Sequence, residues 1–183
     1  MTLAARIADL AAAVRDKLNA HHARIAALEA GGGGGGADPW SYVTLAADVA
    51  TTLTTLSDVA DLTFAAAANT TYRVELFGSF QTAATATGLG IGLDVPADAQ
   101  IMGMTTLSSS NTALQHVVQR ADDVIVAPSS AVGAANTAYP LWGGYDVIVG
   151  ATGGDVMVRI RTEVSGSAAT LRAGTRLGWR VLA

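Results

Sequence analysis

Along the first thirty residues the apolar positions recur with a helical period. Leu3, Ile7, Leu10 and Val14 follow a 4-3-4 spacing, which is the seam of a heptad repeat. The next apolar position is Leu18, because Lys17 stands where the heptad would continue; His21, Ile25 and Leu28 carry the seam onward. Two successive steps of four make a stutter, which locally relaxes a left-handed supercoil. The pattern predicts a coiled-coil-like helical stalk over residues 1–30, roughly 40 Å long. Gly31 to Gly36 then end it, since each glycine costs ~1 kcal/mol in a helix interior. Residues 31–39 therefore read as a flexible linker, closed by Ala37-Asp38-Pro39, with Pro39 fixing the exit direction.

From Trp40 onward the period changes to two. Trp40 to Leu45 reads as a first strand, Asp48 to Leu56 as an edge strand or loop, and Asp58 to Phe64 as a short strand. Ala65 to Thr70 turns, with Asn69 as the turn residue. Thr71 to Phe80 is the clearest strand: Tyr72, Val74 and Leu76 point one way, Arg73, Glu75 and Phe77 the other. Gly88 to Val95 alternates glycine with apolar residues, so its glycine face is expected close to another backbone or an aromatic ring. Gln115 to Gln119 and Asp123 to Ala127 read as short strands, and Ala131 to Ala138 as a small-residue loop. Tyr145 to Val149 and Asp155 to Val164 follow, with Gly150 to Gly154 as a tight hairpin signal. In the second of these, Val156, Val158, Ile160, Thr162 and Val164 share one face, and Met157, Arg159, Arg161 and Glu163 the other. Ala169 to Arg172 and Arg176 to Val181 close the domain, with Leu177, Trp179 and Val181 inward. About nine or ten short strands without an amphipathic helix predict a mainly β head over residues 40–183, a jelly-roll-like antiparallel β-sandwich.

Composition adjusts this picture in three places. Of the 183 residues 50% are hydrophobic and only 14% charged, so the surface is built from Thr, Ser and Asn rather than Lys and Glu. A net charge of −4 argues against a nucleic-acid partner, for which a basic patch is expected. Cysteine is absent, which excludes disulfides and thiolate metal sites. Arg6, Asp9, Arg15 and Asp16 interrupt what would be the apolar region of a signal peptide, and no run approaches the ~20 apolar residues of a membrane span. No membrane partner is expected, and synthesis in a cytoplasm is.

The stalk seam must be buried somewhere. Ile and Val at a with Leu at d favour two strands, but Ala4, Ala11 and Ala13 occupy flanking positions that dimers usually charge. The wide apolar face suits three helices or a partner surface, so a homotrimer is expected. Leu3, Ile7, Leu10, Val14, Leu18, His21, Ile25 and Leu28 are the candidate oligomerisation or anchoring residues. His21 and His22 point about 100° apart and cannot chelate within one chain; a ring of His21 across a trimer could hold an ion, and a tolerated polar layer is the plainer reading.

Candidate chemistry in the head is thin. Gly88-x-Gly90-x-Gly92 lacks the helix that a dinucleotide fingerprint needs, and Gly150-Ala-Thr-Gly-Gly154 reads as a turn. Asn69-Thr70-Thr71 matches a glycosylation sequon without a secretion signal. Asp122-Asp123 and the pair Asp94 and Asp98 could ligate calcium, with unpaired surface carboxylates the plainer alternative. Ser108-Ser109-Ser110 and His116 do not make a triad without geometry. Arg159 and Arg161 share a face with Glu163, and pairing with acids across strands is weighed above binding an acidic partner or sugar. Tyr139, Trp142, Tyr145 and Asp146 are the residues a glycan groove would use; burial in the core or between subunits is the commoner use of such aromatics. No catalytic residue, cofactor or metal is assigned, and no enzyme activity is expected.

Two regions resemble a β-domain of tailed-bacteriophage virion accessory proteins. One runs from Thr55-Leu-Ser-Asp-Val-Ala-Asp-Leu-Thr-Phe64 through Ala68-Asn-Thr-Thr-Tyr-Arg-Val-Glu-Leu76 to Thr85-Ala-Thr-Gly-Leu-Gly-Ile-Gly-Leu93. The other, from Arg159 through Val164, Ala169, Leu171, Gly174 and Thr175 to Val181 and Leu182, resembles their last hairpin. The resemblance is one of strand and turn texture and brings no functional residues with it. It implies an oligomeric, non-enzymatic virion component of the head-decoration, head-fibre or short-tail-fibre type. Self and other virion proteins of capsid or tail are the implied partners, with a host surface glycan for the alternative, a tail or baseplate receptor-binding fibre with a lectin-like head.

Overall fold

In the computed structural model the chain divides into two compact units, Met1–Pro39 and Trp40–Ala183. The structure describes Lys17 and residues 40–110, 113–125 and 131–182. The stalk, its candidate residues Leu3, Ile7, Leu10, Val14, Leu18, His21, Ile25 and Leu28, and the glycine linker lie outside the described residues.

The second unit is built from antiparallel β-sheets in a β-sandwich-like arrangement. Its strands are β1 (Ser41–Thr44), β2 (Val49–Thr51), β3 (Ser57–Ala66), β4 (Thr71–Thr82), β5 (Leu89–Asp94), β6 (Gln100–Ser108), β7 (Leu114–Ala121), β8 (Val124–Ile125), β9 (Tyr139–Ile148), β10 (Gly154–Thr162), β11 (Ala169–Leu171) and β12 (Arg176–Leu182). A nine-stranded sheet runs β1-β12-β4-β9-β6-β7-β8, with β11 beside β4 and β2 beside β11. A three-stranded sheet runs β3-β10-β5. The inward residues of both form one core, including Leu62, Val74, Leu76, Phe80, Ile91, Tyr145, Val158, Ile160 and Leu177.

Strand β4 explains the large sheet. Its period-two pattern buries Tyr72, Val74, Leu76, Phe80 and Thr82, and at twelve residues it is long enough to pair with two successive strands on one edge. Arg176 to Leu182 pair with Phe77 to Thr71, and Ala169 to Leu171 pair with Thr82 to Phe80. Both β11 and β12 are antiparallel to β4, so they run in the same direction and do not form a hairpin with each other. Between them Gly174 adopts φ +86°, and the Thr175 side chain turns in over Gly78. A Cβ at Gly78 would lie 2.2 Å from Thr175 Oγ1, so that inward position of β4 needs glycine.

Several sequence expectations change here. Gly150 to Gly154 do not close a hairpin: β9 belongs to the large sheet and β10 to the small one, so this segment carries the chain from sheet to sheet. The closing hairpin implied by the phage resemblance is likewise absent, because β10, β11 and β12 do not pair with one another. Strand β6 has no counterpart in the sequence reading; its Gly103, Met104, Thr105 and Thr106 hide the alternation, which only pairing with β7 and β9 makes regular. Strand β9 begins at Tyr139, six residues before the expected start. Val164 lies beyond the end of β10 and is exposed. Leu177 is buried as expected and Trp179 stacks on Phe64 with ring centroids 4.4 Å apart, but Val181, near the end of β12, is exposed. Asn69 does sit in the left-handed region, at φ 54°, as a turn residue there requires.

Candidate interaction surface

The side of the large sheet turned away from the small one presents ordered rows of side chains. Register places Arg176, Phe77, Trp142, Thr106 and His116 in one row across β12, β4, β9, β6 and β7. The next row is Tyr42, Gly178, Glu75, Gly144, Met104 and Val118. A third holds Arg180, Arg73, Asp146 and Met102. Tyr42, Phe77, Met104 and Trp142 are between 39% and 47% exposed, so four large apolar groups stand in solvent on one face of the large sheet.

Two glycines on this face are covered by neighbouring side chains. A Cβ at Gly178 would lie 2.6 Å from Tyr42 Cε1, so the ring lies across the glycine. A Cβ at Gly144 would lie 3.0 Å from Arg73 Nη2, and there the guanidinium lies across the strand to reach Asp146 at 2.9 Å. Arg176 sits over the Tyr42 and Phe77 rings at 5.5 and 5.9 Å, and Arg180 over Trp40 at 5.0 Å. Toward one end lies a groove of about 770 Å³ floored by Ala97, Ala99, Ile101, Met102, Ala121 and Ile148, with Arg120, Asp122 and Asp146 at its rim.

The residues of the alternative glycan groove do not share one surface. Alternation along β9 sends Tyr139 and Tyr145 into the core and leaves Trp142 and Asp146 outside. Tyr139 donates or accepts nothing at the surface; its hydroxyl accepts from Ala134 N at 2.8 Å. Tyr145 is fully buried against Thr105, and burial pushes its hydroxyl up to about 12.

The acidic pairs rearrange as well. Asp94, Asp122 and Asp123 converge, with one oxygen of each within 4.8 Å of the others, whereas Asp98 is elsewhere and accepts from Thr152 N at 2.9 Å. Burial and the neighbouring Asp122 and Asp123 carboxylates raise Asp94, and Arg159 partly offsets them. Burial raises Asp123 too, opposed by the Arg159 guanidinium that pairs with it. Three carboxylates are a hard-oxygen set suited to a divalent cation. Here Arg159 already supplies positive charge, bridging Asp123 and, at 2.8 Å, Asp58 on β3. The cross-strand pairing weighed for Arg159 is therefore present; Arg161 donates to Thr54 O at 3.3 Å. In the Ser108 to Ser110 run, Ser108 Oγ donates to Ser110 O, while His116 Nδ1 is 3.0 Å from Thr106 Oγ1, so no serine of the run meets the imidazole there.

The residue that sequence reasoning missed is Gln119. It is buried on β7, and its amide accepts from Leu93 N at 2.7 Å and donates to Leu93 O. The side chain thus does for β5 what a neighbouring strand would do, and seals the small sheet's edge against the large one. Gly92 makes room for it: a Cβ there would lie 2.8 Å from Gln119 Oε1. The glycine face of β5 is indeed closely approached, by Gln119, Ile125 and Arg161 side chains rather than by a backbone or ring.

Among the described residues no helix is long and apolar enough to cross a membrane. No protein-family model matches the chain, and no curated protein sequence matches it. Among solved structures, the Eiger TNF of S. frugiperda is 11% identical with a TM-score of 0.38, over 79% of this chain and 94% of that one. The tripod from the baseplate of bacteriophage Tuc2009 is 13% identical with a TM-score of 0.33, over 77% of this chain and 62% of that one. A CBM22-1–GH10 xylanase of Clostridium thermocellum is 12% identical with a TM-score of 0.33, over 76% of this chain but only 26% of that one.

Proposed function

We propose that the chain is a non-enzymatic structural component of a phage virion: a short trimeric fibre, spike or decoration protein, anchored through its N-terminal helix and displaying a jelly-roll-like β-sandwich head. The carrying observation is the apolar outer face of the large sheet. Exposed Tyr42, Phe77, Met104 and Trp142 on one face of the large sheet form an association surface, of the kind that marks protein–protein contact. The virion assignment comes from the resemblance of the Thr55–Leu93 and Arg159–Leu182 segments, and the trimer from the alanine-flanked seam of the stalk.

The mass of the purified full chain tests the assembly. Light scattering at micromolar concentration is expected to return about three times 18.5 kDa; a single-chain mass overturns the trimer. A gold-labelled antibody on intact particles is expected to mark the capsid or tail surface, and unlabelled particles overturn the virion role. The lectin-like receptor-binding alternative keeps only Trp142 and Asp146 of its four groove residues at the surface, and glycan binding by the full chain would be needed to favour it.

A further inference from the structure

The charges on the outer face of the large sheet are not spread evenly across it. At the groove end, Arg73 pairs with Asp146, and Arg120 shares the groove with Asp122 and Asp146. At the other end, Arg176 and Arg180 on β12 stand to either side of Gly178, and Glu75 on β4 lies opposite that glycine. None of these three makes an ion pair among the described residues. The β12 end therefore carries two guanidiniums against one carboxylate, in a chain whose net charge is −4.

The two arginines are also oriented. Arg176 lies over the Tyr42 and Phe77 rings and Arg180 over Trp40. A ring under the flat side of a guanidinium fixes its plane and leaves the N–H groups along its edge for an oxygen acceptor. Arg180 Nε has no acceptor among the described residues. Four residues apart on one strand, the two cations are separated by about 13 Å. The exposed Tyr42 ring, lying across Gly178, fills that interval. Fixed cations set apart by an apolar ring fit discrete carboxylates set apart by an apolar side chain, which a polypeptide supplies. A continuous polyanion would meet Glu75 between them.

We propose that the β12 end of this face docks an acidic partner protein, which presents two carboxylates to Arg176 and Arg180 and an apolar side chain to Tyr42. The inference rests on the association surface of the proposed function and gives the partner its chemistry: Asp or Glu spaced by apolar residues. Each carboxylate then meets a pre-oriented guanidinium, the geometry of bidentate recognition.

The test measures binding of two short peptides to the full chain. One carries glutamate at every fourth position with valine midway between and threonine elsewhere; the other has lysine in place of glutamate. The acidic peptide is expected to bind at least about 10-fold more tightly than the basic one, with the preference shrinking as salt rises. Arg176→Glu combined with Arg180→Glu is expected to reverse the preference. Arg161→Glu, on the small sheet, is expected to leave it unchanged. Arg176→Gln combined with Arg180→Gln, which removes the charges and keeps polar side chains, is expected to abolish it and serves if the double reversal does not fold. Equal binding of the two peptides, no binding at millimolar concentration, or a preference that Arg161→Glu removes as well overturns the site. Tighter binding of polygalacturonate than of the acidic peptide assigns the face to an acidic polysaccharide and overturns a protein partner. A drop in assembly mass on the double reversal shows that another copy of the chain covers the face, and overturns it too. Particles that label with antibody while the chain shows no preference overturn this docking and leave the virion role; unlabelled particles with the preference intact overturn the virion role alone.

Discussion

Asp94 shows how little of a residue's chemistry is local. In sequence it pairs with Asp98, four positions on; in the fold it meets Asp122 and Asp123. Burial and those carboxylates raise its pKa above the ordinary carboxylate value. A group raised on folding binds more protons in the native than in the unfolded state, so stability falls as pH rises between the unfolded and the native pKa. The penalty is complete above the native value and vanishes below the unfolded value near ~3.9. Asp94→Asn is therefore expected to raise the Tm at pH 7, with the gain shrinking as pH falls and gone by about pH 4. Thermal scans of both proteins across that range check it; a gain independent of pH contradicts the electrostatic origin. Asn69 was readable as a turn residue, whereas the alternation that turns Trp142 out and Tyr145 in was not, because β9 starts six residues before the strand the pattern marks. The convergence of the three aspartates was not, because 28 residues separate Asp94 from Asp122.

At the scale of elements, strands with clean alternation were legible and those carrying functionally distinct neighbours were not. Strand β4 read correctly from Tyr72 to Phe77, and β10 from Val156 to Thr162, where inward and outward residues alternate. Strand β6 escaped notice because its outward positions hold Met102 and Met104 and its inward ones Gly103 and Thr105, reversing the usual polarity. Its outward methionines are legible only once the face they stand on is seen. Strand β5 was recognised, but what its glycines admit was not. Gln119 completes the hydrogen bonding of Leu93, and losing that amide leaves a buried N–H and C=O without partners, each worth about 1–3 kcal/mol. Gln119→Leu is expected to cost about 3 kcal/mol in urea unfolding. A loss under ~0.5 kcal/mol would mean that water or a shifted strand replaces the amide without penalty.

At the scale of the molecule, the described head is held by one core shared between two sheets. Leu76 on the large sheet is fully buried in the same cluster as Val158 and Ile160 on the small one. The sheets are therefore expected to unfold together. Leu76→Ala should cost about 3 kcal/mol, lowering the midpoint while tryptophan fluorescence and far-UV circular dichroism still report coincident transitions. Separate transitions would show that the sheets are independently stable. The exposed apolar groups on the outer face belong to this scale too, since they come from several strands of one sheet.

The sequence by itself determined the mainly β character of the head, the inward set of β4 and that of β10 as far as Thr162. These follow from local alternation, which a strand imposes on every second residue. Tertiary structure alone decided that Gly150 to Gly154 link two sheets instead of closing a hairpin, that β11 and β12 share one edge of β4, and that Gln119 finishes the edge of β5. Strand pairing is a choice among partners far apart in the chain, made by which apolar faces bury each other, and no local pattern encodes it. The same holds for the outer face: its rows exist only in the register of six strands.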